Sequence, residues 1–274
     1  MKLVNLVKWI AVLALSAVLV APAARTSAQA QAAAAVTPAG CSLTWVGHET
    51  EIEEFLRTAK VAKLELVPVG VTKPQRAVFE PGGLVARAAW KPLAPGYRSG
   101  YHESYKAEIA AYALDRLLEM HMVPPVIERK LDRNPGALIF WIENTHQWDV
   151  KKPPMGPGVE WARRVSKMRM FDQLIANIDR NAGNLLYDDD WHLFLIDHSR
   201  AFIERKELGG TTAPTRIDRA YWNRLDALDA AGLQSALGEW LTPNEIAALL
   251  ARRDKMRTAI AKMVAERGEA NVYF

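Results

Sequence analysis

Beyond residue 41 the pattern of apolar and polar positions changes once along the chain. Between 63 and 143, short apolar runs alternate with turn-forming residues. KLELVPVGV, RAVFE and LVARAAW, separated at 70–74 and 81–83, predict three strands, and VIERKL and ALIFWIE predict two more. Between these groups, Ile109, Tyr112, Ala113, Leu117 and Met120 recur near one helical face, predicting a long helix over 103–120 that Pro124-Pro125 terminates. A capped helix is predicted over 50–59. From Trp161 onward the pattern is helical, with helices expected over 161–178, 217–231 and 243–266. The last carries a clear 3.6-residue repeat, EIAALLARRDKMRTAIAKMV, with a basic face expected to be solvated. Two short strands, LLY and LFLI, interrupt this half. The expected architecture is α+β: a small β-rich lobe with one long helix over 45–150, and a larger, mostly helical lobe over 151–274.

The first residues follow a different rule. Lys2 and Lys8 precede the apolar run 9–20, and small-residue sites follow at Ala21-Pro22-Ala23 and Ala28-Gln29-Ala30. A basic start, an apolar middle and a small-residue end predict a secretory signal peptide over 1–31, then a linker over 32–44. The alternative is an uncleaved amino-terminal membrane tether, for which the run is short against the about 20 residues of a span. Either reading exports the globular part to a periplasmic, extracellular or secretory-pathway compartment. With Cys41 as the sole cysteine, no intrachain disulfide can form, so the exported domain depends on its core. Half the 274 residues are hydrophobic, enough for a sizeable core.

Charge alters the picture only by exclusion. Of 35 basic residues, Lys2, Lys8 and Arg25 fall in the first 41 positions, which hold no acid; the remainder nearly balances its 31 acidic residues. No basic stripe interleaved with aromatics marks a nucleic-acid groove. The six histidines lack an H-E-x-x-H or comparable metal spacing, and neither a G-x-S-x-G elbow nor a Cys/His pair is present.

Candidate chemistry concentrates in FDQLIANIDRNAGNLLYDDDWHLFLIDHSRAF, residues 171–202. Asp179 and Asn184 stand at the D-x-x-x-x-N interval of a kinase catalytic loop, and Asp197 ends LFLID as a metal-binding Asp ends a strand. Phosphoryl transfer needs those parts: a carboxylate to accept a hydroxyl proton, and hard oxygen ligands for Mg²⁺ or Mn²⁺. Lys91, ending the third strand, is the candidate for gripping the phosphates of ATP, with Glu108 on the following helix as its partner. Gly70 and Thr72 could form the turn over the phosphates, although no G-x-G-x-x-G is present and an ordinary hairpin competes. The hinge touching adenine is expected near 141–144.

These segments also carry a resemblance. YKAEIAAYALDRLLEMHMVPPVIER resembles the AEIAAFHLDRIL…VPPV region of the Golgi casein kinase and four-jointed family of secretory-pathway kinases. WKP is similar to that family's FKP, and FDQLIANIDR…LIDHSRAF to its FDFLIGNMDR…HLDNGRGF. The four blocks keep their order over 87–202. The resemblance implies a two-lobed kinase-like fold, ATP with Mg²⁺ or Mn²⁺, and a protein or glycan acceptor. It implies Asp179 as catalytic base, Lys91 on the phosphates, Glu108 orienting Lys91, and Asn184 and Asp197 as metal ligands. Asn184 departs from the Glu of the Golgi casein kinase, and His198-Ser199 replaces Asn-Gly. Arg200 and Phe202 are candidates for ordering the activation segment, and 209–212 lies where substrate would arrive. A phosphatidylinositol-kinase-like lipid kinase and a catalytically silent nucleotide-binding module are the alternatives.

Overall fold

The computed structural model describes residues 45–67, 74–209 and 212–274. The leader and linker expected over 1–44, and the phosphate-turn candidates Gly70 and Thr72, lie outside these residues.

Five antiparallel strands form the main sheet in the order β1-β2-β3-β7-β6: β1 (Val61–Leu66), β2 (Gln75–Phe79), β3 (Arg87–Lys91), β6 (Val126–Leu131) and β7 (Asn134–Phe140). Side chains alternate between the faces of a strand, and here the two faces enter different cores. Ala88, Trp90, Ile127 and Leu138 join Ile52 and Leu56 of helix α1 (Glu49–Thr58) in a small cluster. Val126, Ala137 and Ile139 point the other way, into the main cluster with helix α2 (Tyr105–Leu117). This alternation puts Lys91, out of phase with Trp90, on the α2 side. Gly136 permits the close pairing there, since a Cβ on it would lie 2.6 Å from the Lys91 carbonyl oxygen.

Helix α2 is capped by Ser104, whose Oγ accepts from the Lys106 amide at 3.1 Å. It stops three residues before the expected 120. The Asp115 carboxylate accepts from the amides of His121, Met122 and Val123 at 2.9–3.0 Å, and Glu119 and His121 take positive φ, so the chain turns back early. Strand β7 begins three residues earlier than ALIFWIE predicts, because Asp132 and Arg133, both at positive φ, make a two-residue turn that pairs Leu131 with Asn134. A hairpin that the periodicity does not predict, β4 (Gly96–Arg98) and β5 (Tyr101–Glu103), closes through Ser99 and Gly100, again both at positive φ.

The second half is mostly helical, around a three-stranded sheet ordered β10-β9-β8: β8 (His146–Gln147), β9 (Leu185–Tyr187) and β10 (Leu193–Leu195). Helix α3 (Gly158–Leu174) ends short of the expected 178, with Ala176 at positive φ. The helix expected over 217–231 is two helices, because Asp218 caps α4 (Arg219–Asp226) and Asp229 caps α5 (Ala230–Leu237). Helix α6 (Pro243–Arg267) opens on a Thr242/Glu245 capping box, and a last turn, α7 (Glu269–Val272), follows. The basic face of α6 is not wholly solvated: Arg252 is completely buried. Among the described residues no helix is long and apolar enough to cross a membrane.

Candidate active site

A cleft of ≈ 490 Å³ opens between the main sheet and the second half, within the range of small-molecule sites. Its walls include Ala89, Ile139, Leu186 and Ile196, and its polar groups include Lys91, Asp179, Asn184 and Asp197. The segment expected as a hinge contributes Trp141 and Ile142.

Lys91 is the centre of the polar network. Its Nζ donates to Glu108 Oε1 and to Asp197 Oδ1, each at 2.8 Å, and only 7% of its side chain is exposed. Burial opposes its charge, but the two carboxylates more than offset that and hold the ammonium above its ordinary pKa. Glu108 is 2% exposed. Burial acts to raise its pKa, yet Lys91 and then His198 hold it well below the usual carboxylate range. Asp197 follows the same logic: burial is outweighed by Lys91, with help from Ser199, whose Oγ donates to Oδ1 at 2.9 Å. Its backbone sits at φ 61°, a left-handed conformation that Asp tolerates better than most residues.

Asp179 and Asn184 are set by the loop after α3. The Asp179 amide donates to Asn177 Oδ1 at 3.1 Å, and its carbonyl accepts from Asn181 and Asn184 side-chain amides at 3.1 and 3.0 Å. Asn184 spends its Nδ2 in that bond, which leaves Oδ1 as the group it can offer a cation. Asp197 Oδ2 likewise has no partner among the described residues. Two residues with oxygens of hard-ligand type that line one cleft fit Mg²⁺ or Mn²⁺, and a buried ammonium bridging Asp197 and Glu108 fits a phosphate chain.

Two residues important to this geometry, Asp172 and Glu103, have little signal in the sequence. Arg180 donates through Nε and Nη2 to the fully buried Asp172, at 3.0–3.1 Å, and through Nη1 to the carbonyls of Asn184 and Ile196, at 2.9 and 2.7 Å. One guanidinium thus fixes both the loop bearing Asn184 and the strand end bearing Asp197. Arg180 Nη2 also lies 2.9 Å from His198 Nε2, while His198 Nδ1 lies 3.4 Å from Glu108 Oε2, so the imidazole accepts from one and faces the other with its N–H. Burial, countered by Glu108, lowers the His198 pKa with help from Arg180. Glu103 on the unforeseen hairpin holds Arg200 at 2.8 Å, and Arg200 Nη1 donates to Asp179 Oδ2 at 3.1 Å. Arg180 directly follows Asp179 in the FDQLIANIDR block; Asp172 and Glu103 need the tertiary fold. Phe202 is buried at φ 60°, its amide donating to Ile175 O at 2.6 Å.

Among the described residues a group with metal-ligand character, absent from the histidine spacing, lies in the β9–β10 turn. Asp188, Asp190 and His192 present ligand atoms within 4.8 Å of one another. Asp188 accepts from both the amide and Nδ1 of His192 at 2.8 Å, so the group closes the turn.

The paired lysine on the third strand, the carboxylate on the helix behind it and the Asp-Asn loop across the cleft define a kinase-like α+β fold. Solved structures bear this out. The Golgi casein kinase with Mn and ADP bound matches with a TM-score of 0.61 at 14% identity, over 83% of this chain and 79% of that one. Hydra Fam20 with sugar matches at 0.61 and 17% identity, over 83% and 92%. A further structure of the Golgi casein kinase gives 0.63 at 14% identity, over 83% and 77%. The fold is therefore that of the Golgi casein kinase type. No protein-family model and no curated protein sequence matches the chain.

Proposed function

We propose that this chain is an exported atypical kinase that transfers the γ-phosphate of ATP to a hydroxyl of a protein or glycan. The observation that carries the reading is Lys91, held at 2.8 Å by both Glu108 and Asp197 in a cleft that also contains Asp179 and Asn184. Lys91 binds phosphate oxygens, and Glu108 keeps its ammonium in place. Asn184 Oδ1 and Asp197 hold the divalent cation, which when bound offsets phosphate charge. Asp179 takes the proton of the acceptor hydroxyl; Arg200 occupies its Oδ2, which leaves Oδ1 for that contact. The residues 45–150 and 151–274 act as the two lobes that exclude water from the cleft between them.

Export rests on the amino-terminal pattern of 1–31, and sequencing the mature amino terminus tests it. An intact Met1 in a cytoplasmic fraction would rule export out. Activity is tested by incubating the protein with γ-labelled ATP, Mg²⁺ or Mn²⁺ and exported proteins or glycans, beside Asp179→Ala and Asp197→Ala. Metal-dependent label lost in both variants supports transfer. Nucleotide binding without label would leave a silent binding module, and label in a phosphoinositide alone would make it a lipid kinase.

A further inference from the structure

Behind the site, where the chain leaves Phe202, the guanidiniums of Arg205 and Arg252 act on each other's charge, and neither has an ion pair among the described residues. Arg252 of α6 is completely buried; its Nε donates to Leu174 O at 2.7 Å, and its Nη1 to Ile203 O at 3.1 Å and to Arg205 O. Among the described residues its Nη2 has no hydrogen-bond partner, and neither do the buried Nε and Nη2 of Arg205. Neither residue has a carboxylate partner among the described residues. Glu207, which senses the Arg205 charge, is taken by Lys255 at 3.1 Å. Burial, and then the adjacent Arg205, pull the Arg252 pKa down to about 10.

Burying one charge unpaired is costly, and burying it beside a like charge is more so. Buried donors without partners are rare enough that each calls for a ligand, a water or an ion. Here three donors of two guanidiniums that act on each other's charge are left over, and a guanidinium matches the oxygens of a phosphate with parallel N–H bonds. Arg205 also packs against Gly209, where a Cβ would lie 3.3 Å from Nη2, so its head group remains within the segment it belongs to. We propose that Arg205 and Arg252 form a phosphate-binding site that ties the segment after Phe202 to α3 and α6.

The phosphate has two sources of the same chemistry: the free ion, or an ester on a hydroxyl of the same segment, with exposed Thr212 as the described candidate. Either would order the segment by pairing with arginine. The site stands independently of the nucleotide reading.

Inorganic phosphate is titrated into the phosphatase-treated full chain by calorimetry and thermal shift, with chloride at matched ionic strength as reference. The expected result is saturable binding and a higher Tm with phosphate. Arg205→Gln should weaken that binding by about tenfold or more without unfolding the protein, since the lost Nε and Nη2 make no bonds among the described residues. Lys91→Met should retain it, separating this site from the cleft. Intact mass before phosphatase treatment assigns the source. A phosphate on Thr212 that blocks the titration until removed names the segment's own ester; an unmodified chain that binds phosphate names the free ion. No gain over chloride, or a gain that survives Arg205→Gln, would overturn the proposal.

Discussion

Arg180 and Arg252 are both buried arginines that hold the polypeptide around the site by backbone carbonyls, and they differ in what answers their charge. Arg180 reaches Asn184 O and Ile196 O and is matched by Asp172 through Nε and Nη2. Arg252 reaches Leu174 O, Ile203 O and Arg205 O, and meets a second guanidinium where Arg180 meets a carboxylate. The first arrangement is complete within the chain and fixes the residues proposed to hold metal. The second is complete only with an anion. The same side chain in the same kind of burial thus marks rigid scaffolding in one place and an unfilled requirement in the other.

The comparison breaks most readily at Asp172. Asp172→Ala leaves Arg180 buried and unpaired, so a loss of about 3–5 kcal/mol is expected in denaturant unfolding. Arg252→Met should cost less, under about 2 kcal/mol, because the carbonyls lose their donor but an unpaired charge is removed as well. Equal losses would erase the distinction between the two clamps.

A smaller, pH-dependent effect is expected at Glu108, which belongs to the paired type. Its folded pKa lies below its ordinary 4.5, so on acidification the unfolded chain takes up the proton first. The stability it contributes is present above about 4.5 and is lost as pH falls toward the folded value. The Tm gap between wild type and Glu108→Gln should therefore be widest near neutrality and shrink below pH about 4. A gap that widens in acid would contradict the pairing. Smallest of all, Lys255→Ala should leave the Tm unchanged, since its bond to Glu207 lies in solvent. A clear loss there would mean that the exposed pair itself holds the segment, and a gain that the freed Glu207 answers the Arg205 charge.

What the sequence makes legible divides along similar lines. Lys91, Asp179, Asn184 and Asp197 stand out because their chemistry depends on spacing along short stretches, and strand alternation turns Lys91 toward Glu108. The hairpin at Gly96–Glu103 does not stand out, because its strands are three residues each and its signal is a single Ser-Gly turn. The split between α4 and α5 depends on Asp229 acting as a cap, and the early end of α2 on Asp115 accepting three amides; neither changes the apolar period. Arg252 reads as one more residue of a solvated basic face in ARRDKMR, and only the packing of α6 on the end of α3 buries it. Pairings such as Asp172 with Arg180, or Glu103 with Arg200, join residues whose partners are fixed by the tertiary fold, so pattern alone leaves them unmarked.

The central claim is that the paired Lys91 marks a metal-dependent nucleotide site. Its most direct test is calorimetric titration of ATP into wild type and Asp197→Asn, with and without Mg²⁺ or Mn²⁺. Asn at 197 can still accept from Lys91, so the fold should persist while the cation loses a charged ligand. The expected result is cation-dependent ATP binding in wild type, weakened about tenfold or more in the variant. ATP binding that ignores both the cation and the substitution, or no ATP binding at all, would contradict it.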